Sequence, residues 1–117
     1  MKVDYVAYRL REIGEETNIV GDISTDAETV SVLIINPDTG KPADALVNEF
    51  LRLTADERLF LQSDNSEPAL LHVSVPESMT YLQVNRLVEI LDDVAHALRE
   101  MFDDANMEEE EDEPWEI

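Results

Sequence analysis

The longest apolar periodicity in the chain lies in its C-terminal half and constrains everything that packs around it. Val84, Leu87, Val88, Leu91, Val94, Ala95, Leu98, Met101 and Phe102 recur at spacings of three and four residues over five turns. That spacing predicts one continuous stripe along an α-helix. A stripe this wide needs a sheet or other helices to cover it. Its start is marked by Pro76, which ends the preceding segment, and by Thr80 with Gln83 three residues on, the pattern of a capping box.

The remaining segments offer the cover. Val3, Val6, Leu10 and Ile13 predict an amphipathic helix over residues 4–17. A short extended piece follows at 18–23. The β-branched run Thr29 to Ile35 is the clearest strand, and Asn36-Pro37-Asp38-Thr39-Gly40 closes it with turn chemistry. Leu46, Val47, Phe50 and Leu51 predict a helix over 43–53, and Thr54 with Glu57 reads as a second capping box. Residues 58–62 and 69–75 then read as a β-hairpin, with Leu71, Val73 and Val75 alternating against His72 and Ser74. The expected fold is α+β, a single domain in the order α–β–β–α–β–β–α, with an antiparallel sheet packed against helices. The domain is expected to occupy residues 1–105. Residues 106–117, with a block of like charges and no apolar period, are expected to be a disordered acidic tail.

Charge narrows the class of partner. Twenty-eight Asp and Glu against eight Lys and Arg give a net charge of −20. Residues 108–117 hold seven of those acids, which leaves 21 acidic against 8 basic residues in 1–107, so the body alone is acidic. A field of that sign repels nucleic acid, anionic membranes and phosphorylated substrates and attracts proteins with basic surfaces. Solubility, or a high-salt setting in which Lys2 and Lys41 are the only lysines, is the plainer account of the same charge. There is no cysteine, hence no disulfide, thiolate metal site or cysteine nucleophile. No apolar run approaches the roughly 18 residues of a membrane span, and the expectation is a cytoplasmic protein.

No motif calls for catalysis. His72 falls on the solvent side of a predicted strand, and His96 stands four residues after Asp92, at ion-pair spacing on a helix. Neither belongs to an H-x-x-x-H or H-x-x-E-H pair, so no metal site is expected, and no cofactor. The chain also lacks a G-x-S-x-G elbow and a phosphate-cradling Gly-rich loop. It is expected not to be an enzyme. Two groups of residues are candidates for binding a partner. Glu89, Asp92, Asp93, Glu100, Asp103 and Asp104 can form a row of carboxylates on the polar face of the last helix, and Trp115 with Ile117 can anchor the tail in a partner groove.

The stretch Leu70 to Pro76 followed by Leu82 to Phe102 resembles the C-terminal half of YbjN-like proteins, and the whole element order is similar to that of type III secretion chaperones. These resemblances, which cover most of residues 3–103, imply a homodimer that binds a segment of another protein. The leading expectation is therefore a non-enzymatic, chaperone- or adaptor-like protein-binding module. The alternative is an acidic mimic of nucleic acid, whose carboxylate row occupies the cleft of a DNA- or RNA-binding protein.

Overall fold

A computed structural model describes residues 1–53, 61–63 and 66–115, with side chains described for 1–52, 62–63 and 66–104. The order is α1 (Lys2–Thr17), β1 (Val20–Thr25), β2 (Thr29–Ile34), α2 (Asp44–Leu53), β3 (Leu61–Ser63), β4 (Leu70–Ser74) and α3 (Tyr81–Trp115). This is the α+β arrangement expected. The sheet is antiparallel throughout, with strand order β1-β2-β4-β3. The expected hairpin is present as β3 and β4, paired from Leu61↔Val73 to Ser63↔Leu71. The second capping box, Thr54 with Glu57, lies outside the described residues.

The strands alternate as a sheet covered on one face must. Val30, Val32 and Ile34 of β2 and Leu71 and Val73 of β4 are buried, while Thr29, Ser31 and Leu33 between them are only half-buried. The buried set joins Val3, Val6, Leu10 and Ile13 of α1, Val47 and Phe50 of α2, and the α3 stripe in one core. Within that stripe Val84, Leu87, Val88, Leu91, Ala95, Leu98 and Phe102 are buried, with Val94 and Met101 packed at its margin.

Local chemistry sets the boundaries. At the start of α3 the Gln83 amide donates to Thr80 Oγ1 (3.1 Å) and the Thr80 amide donates to Gln83 Oε1 (2.8 Å), so the capping box closes in both directions. At the end of α1, Asn18 adopts the left-handed conformation (φ 59°) and its amide donates to Gly14 O at 2.8 Å. The Asn36–Gly40 turn closes through Gly40 N–H to Asn36 O at 2.8 Å, and Gly40 takes φ 73°, which suits a residue without Cβ. Asp44 Oδ1 at the head of α2 accepts from the buried Ala69 amide (2.9 Å), tying that helix to the start of β4.

One boundary differs from expectation. The helical backbone of α3 runs on from Phe102 to Trp115 through the stretch from Asn106 that was expected to be disordered. Glu, Met and Ala are strong helix formers and the first proline is Pro114, so local propensity favours helix where no apolar face remains.

Gly14 permits the close approach of α1 to β1. A Cβ at this position would lie 2.9 Å from Val20 Cβ. Gly14→Ala is therefore expected to destabilise the protein by about 1–3 kcal/mol, although alanine is the better helix former. Chemical denaturation measures this, and the loss on Gly14→Ala should be smaller in a Val20→Gly background, where the Cβ that would be met is absent.

Candidate functional site

The helices α1 and α3 lie side by side and run in the same direction. Lys2 Nζ sits 5.2 Å from the Tyr81 ring centroid, Tyr5 Oη is 3.4 Å from Asn85 Oδ1, Glu16 meets His96, and the Arg99 guanidinium donates to Thr17 O at 3.1 Å. Each contact joins residues about eighty positions apart, so a polar seam follows the outer face of the helical layer from end to end.

The carboxylate row falls beside this seam. Glu89, Asp93, Glu100 and Asp104 are separated by four and seven residues, and Asp92 and Asp103 each stand one position before Asp93 and Asp104, which keeps all six to one side of α3. All are exposed except the half-buried Asp92. They are not equivalent. Asp92 Oδ1 is 3.3 Å from His96 Nδ1, and Asp103 Oδ1 is 3.3 Å from Arg99 Nε, so two of the six are engaged by side chains of their own helix, Asp103 by a permanent cation and Asp92 by an imidazole that is charged only when protonated. Glu89, Asp93, Glu100 and Asp104 have no ion-pair partner among the described residues. The structure brings all six together on one helix. Trp115 is the last residue of that helix, with its side chain outside the described set, and Ile117 lies outside it altogether.

The residues at the other end of the seam were not singled out by sequence spacing. Tyr81 and Leu82, in the first turn of α3, are 75% and 81% exposed, Met1 and Tyr5 are exposed at the adjoining end of α1, and Tyr8 is exposed one turn further along it. Every tyrosine of the chain is thus on the surface of this layer. Shallow hollows flank the pair. One of about 180 Å³ is lined by Lys2, Val75, Glu77 and Tyr81, and one of about 350 Å³ by Leu82, Asn85, Arg86 and Glu89. The signal available in the sequence was that Tyr81 and Leu82 precede the buried stripe and fall off its face.

The two histidines have different settings. His72 is on the open face of the sheet, directly opposite Ser31 in the register, and Ser31 Oγ lies 2.8 Å from its Nδ1. Strand pairing imposes that contact. His96 Nδ1 lies 2.9 Å from the Asp92 carbonyl oxygen. A carbonyl oxygen only accepts, so Nδ1 carries a proton and Nε2 is the nitrogen that titrates. Nε2 faces Glu16 Oε2 at 3.7 Å, beyond hydrogen-bond reach. The Asp92 carbonyl, and then the carboxylates of Asp92, Glu16 and Asp93, raise the His96 pKa above its ordinary value.

Comparison with known proteins speaks to the fold alone. No family model matches the chain, and no curated protein matches it. Among solved structures it is similar to a transaminase from the marine bacterium Virgibacillus, at 18% identity and TM-score 0.70, covering 86% of this chain and 24% of that one. It is also similar to a phospholyase from Arthrobacter in complex with phosphoethanolamine, at 18% identity and TM-score 0.67, covering 80% of this chain and 22% of that one. The chain therefore spans about a quarter of the length of these enzymes. Among the described residues, no helix is long and apolar enough to cross a membrane.

The raised His96 pKa makes a signed prediction. A basic group whose folded pKa exceeds its unfolded value, about 6.5, contributes stability that is fully present below that value and lost as pH rises through the folded pKa. In a buffer free of divalent cations, the stability difference between wild type and His96→Gln should shrink as pH is raised from the acid side of 6.5 to alkaline values. A difference that grows over that range contradicts the assignment; urea unfolding at each pH measures it.

Proposed function

We propose that the chain is a non-enzymatic, acidic protein-binding module, chaperone- or adaptor-like, that uses the outer face of the α1–α3 layer. The observation that carries this reading is the joint placement on one layer of exposed apolar anchors, Tyr5, Tyr8, Tyr81 and Leu82, and of the α3 carboxylates. Large exposed side chains gathered on one layer favour contact with another surface, and tyrosine is enriched where such contacts are strong. The carboxylates add steering towards a basic partner. A partner of opposite charge is favoured over the homodimer suggested by the chaperone resemblance, because self-association through this face would bring together two chains of net charge −20. The absence of cysteine agrees with the reducing cytoplasm as its compartment.

Nucleic-acid mimicry is the second reading, supported by Glu89, Asp93, Glu100 and Asp104 standing unpaired among the described residues on one rigid helix. It gains little from Asp103, whose charge is offset by Arg99, or from Asp92, which is half-buried against His96.

Affinity capture from an extract of the source cells separates the two. The baits are wild type, Tyr81→Ser/Leu82→Ser, and a chain with Glu89, Asp93, Glu100 and Asp104 changed to their amides, each at low and high salt. The adaptor reading predicts that the serine pair weakens capture by about tenfold or more, as loss of buried anchors does, and that part of the wild-type binding survives high salt. Capture unaffected by the serine pair but abolished by salt and by the amides is the signature of mimicry. If neither variant alters capture, the α1–α3 face is not the contact surface.

A further inference from the structure

We propose that Glu16, Asp92 and His96 form a site for a divalent transition-metal ion of the zinc type, clamping the C-terminal end of α1 to the middle of α3. One ligand atom from each residue lies within 4.8 Å of the other two. Asp92 and His96 have the i, i+4 spacing that presents two ligands on one helical face, the spacing that the histidines of H-E-x-x-H helices use. The third donor comes from a different element, eighty residues away from the histidine in sequence. The set is thus built by the fold.

Three features distinguish it from the acid-rich surface around it. The first is its chemistry, because an imidazole with two carboxylates suits zinc-like ions, whereas carboxylates alone suit magnesium and calcium. The second is ring orientation. With Nδ1 held to the Asp92 carbonyl at 2.9 Å, the neutral ring turns its Nε2 lone pair to Glu16, and a hydrogen bond from the second ring nitrogen to a carbonyl is the usual support for a metal-ligating histidine. The Asp92 carboxylate, whose Oδ1 stands 3.3 Å from Nδ1, reaches the ion by turning about its own side-chain torsions. The third is the width of the gap. Nε2 and Glu16 Oε2 stand 3.7 Å apart, too far to share a proton well. Two ligands each about 2.1 Å from a tetrahedral ion are separated by roughly 3.4 Å, so the observed gap is near the width an ion fills. The neighbouring arginines make their hydrogen bonds and ion pairs elsewhere, although Arg9 lies near enough to Asp92 to interact with its charge. Arg99 is engaged with Thr17 O and Asp103, and Arg9 with Tyr5 Oη and Glu12. Side-chain exposures of 46–67% leave room for water to complete the coordination.

The experiment is a Zn²⁺ titration of the full chain in millimolar Mg²⁺, which occupies sites made of carboxylates alone. It is followed by calorimetry and by the imidazole NMR signals of both histidines, for wild type, His96→Gln and Glu16→Gln. Both substituted residues are exposed, so these variants should fold, and circular dichroism checks that they do. The expected result is a shift of the His96 signals with those of His72 unmoved. Zn²⁺ affinity should be lower by at least about tenfold in each variant, the lower end of what loss of even an outer partner of a metal site costs. Melting temperature should rise with Zn²⁺ in wild type, since residues so far apart in sequence assemble only in the folded chain. Full Zn²⁺ affinity in either variant, or His96 signals that do not respond, overturns the proposal and assigns any bound zinc to the acidic surface in general.

Discussion

The structure depends on the burial of one helical stripe. Val84, Leu87, Val88, Leu91, Ala95, Leu98 and Phe102 of α3 lose nearly all their contact with water only because α1, α2 and one face of the sheet converge on them. A chain of net charge −20 repels itself, and the folded state concentrates that repulsion. A continuous apolar core is the interaction able to offset it. The carboxylates are accordingly sorted to the outside, and α3 becomes a helix with one face fully committed and the other free for charge.

That sorting connects fold to site. Because α1 lies parallel to α3, residues near the start of the chain line up with residues about eighty positions later, and a polar seam runs along their junction. At one end the seam opens on exposed tyrosines and Leu82, where the first turn of α3 stands clear of the core. Along its length the seam combines Asn85, Asp92, His96 and Arg99 with Tyr5, Glu16 and the end of α1. The open side of the sheet contrasts with it. There Ser31 and His72 satisfy one another across strands and Leu33 and Leu70 are half-buried, leaving little that projects.

Much of this was legible in the sequence where local rules suffice. The α3 stripe, its Thr80–Gln83 capping box, the four-residue spacing of Asp92 and His96, and the alternation of Leu71, Val73 and Val75 are all short-range patterns, and each has its structural counterpart. What could not be read depends on which elements become neighbours. The meeting of Glu16 with His96, of Tyr5 with Asn85 and of Lys2 with Tyr81 follows from the parallel pairing of α1 with α3, which no local spacing encodes. The pairing of Asp103 with Arg99 was implicit in an i, i+4 spacing, yet it was masked by the abundance of acids around it. The helical backbone beyond Phe102 illustrates the opposite case, where intrinsic propensity prevails after the apolar period has ended.

The α1–α3 face is the surface proposed to meet a partner. Hydroxyl-radical footprinting of the captured complex against the free chain tests it most directly, since side-chain oxidation reports solvent access residue by residue. Contact through this face should reduce oxidation of Tyr5, Tyr8, Tyr81 and Leu82 in the complex and leave Leu33, Leu70 and His72 on the open face of the sheet unchanged. Protection of the sheet face with the tyrosines still fully reactive would contradict it.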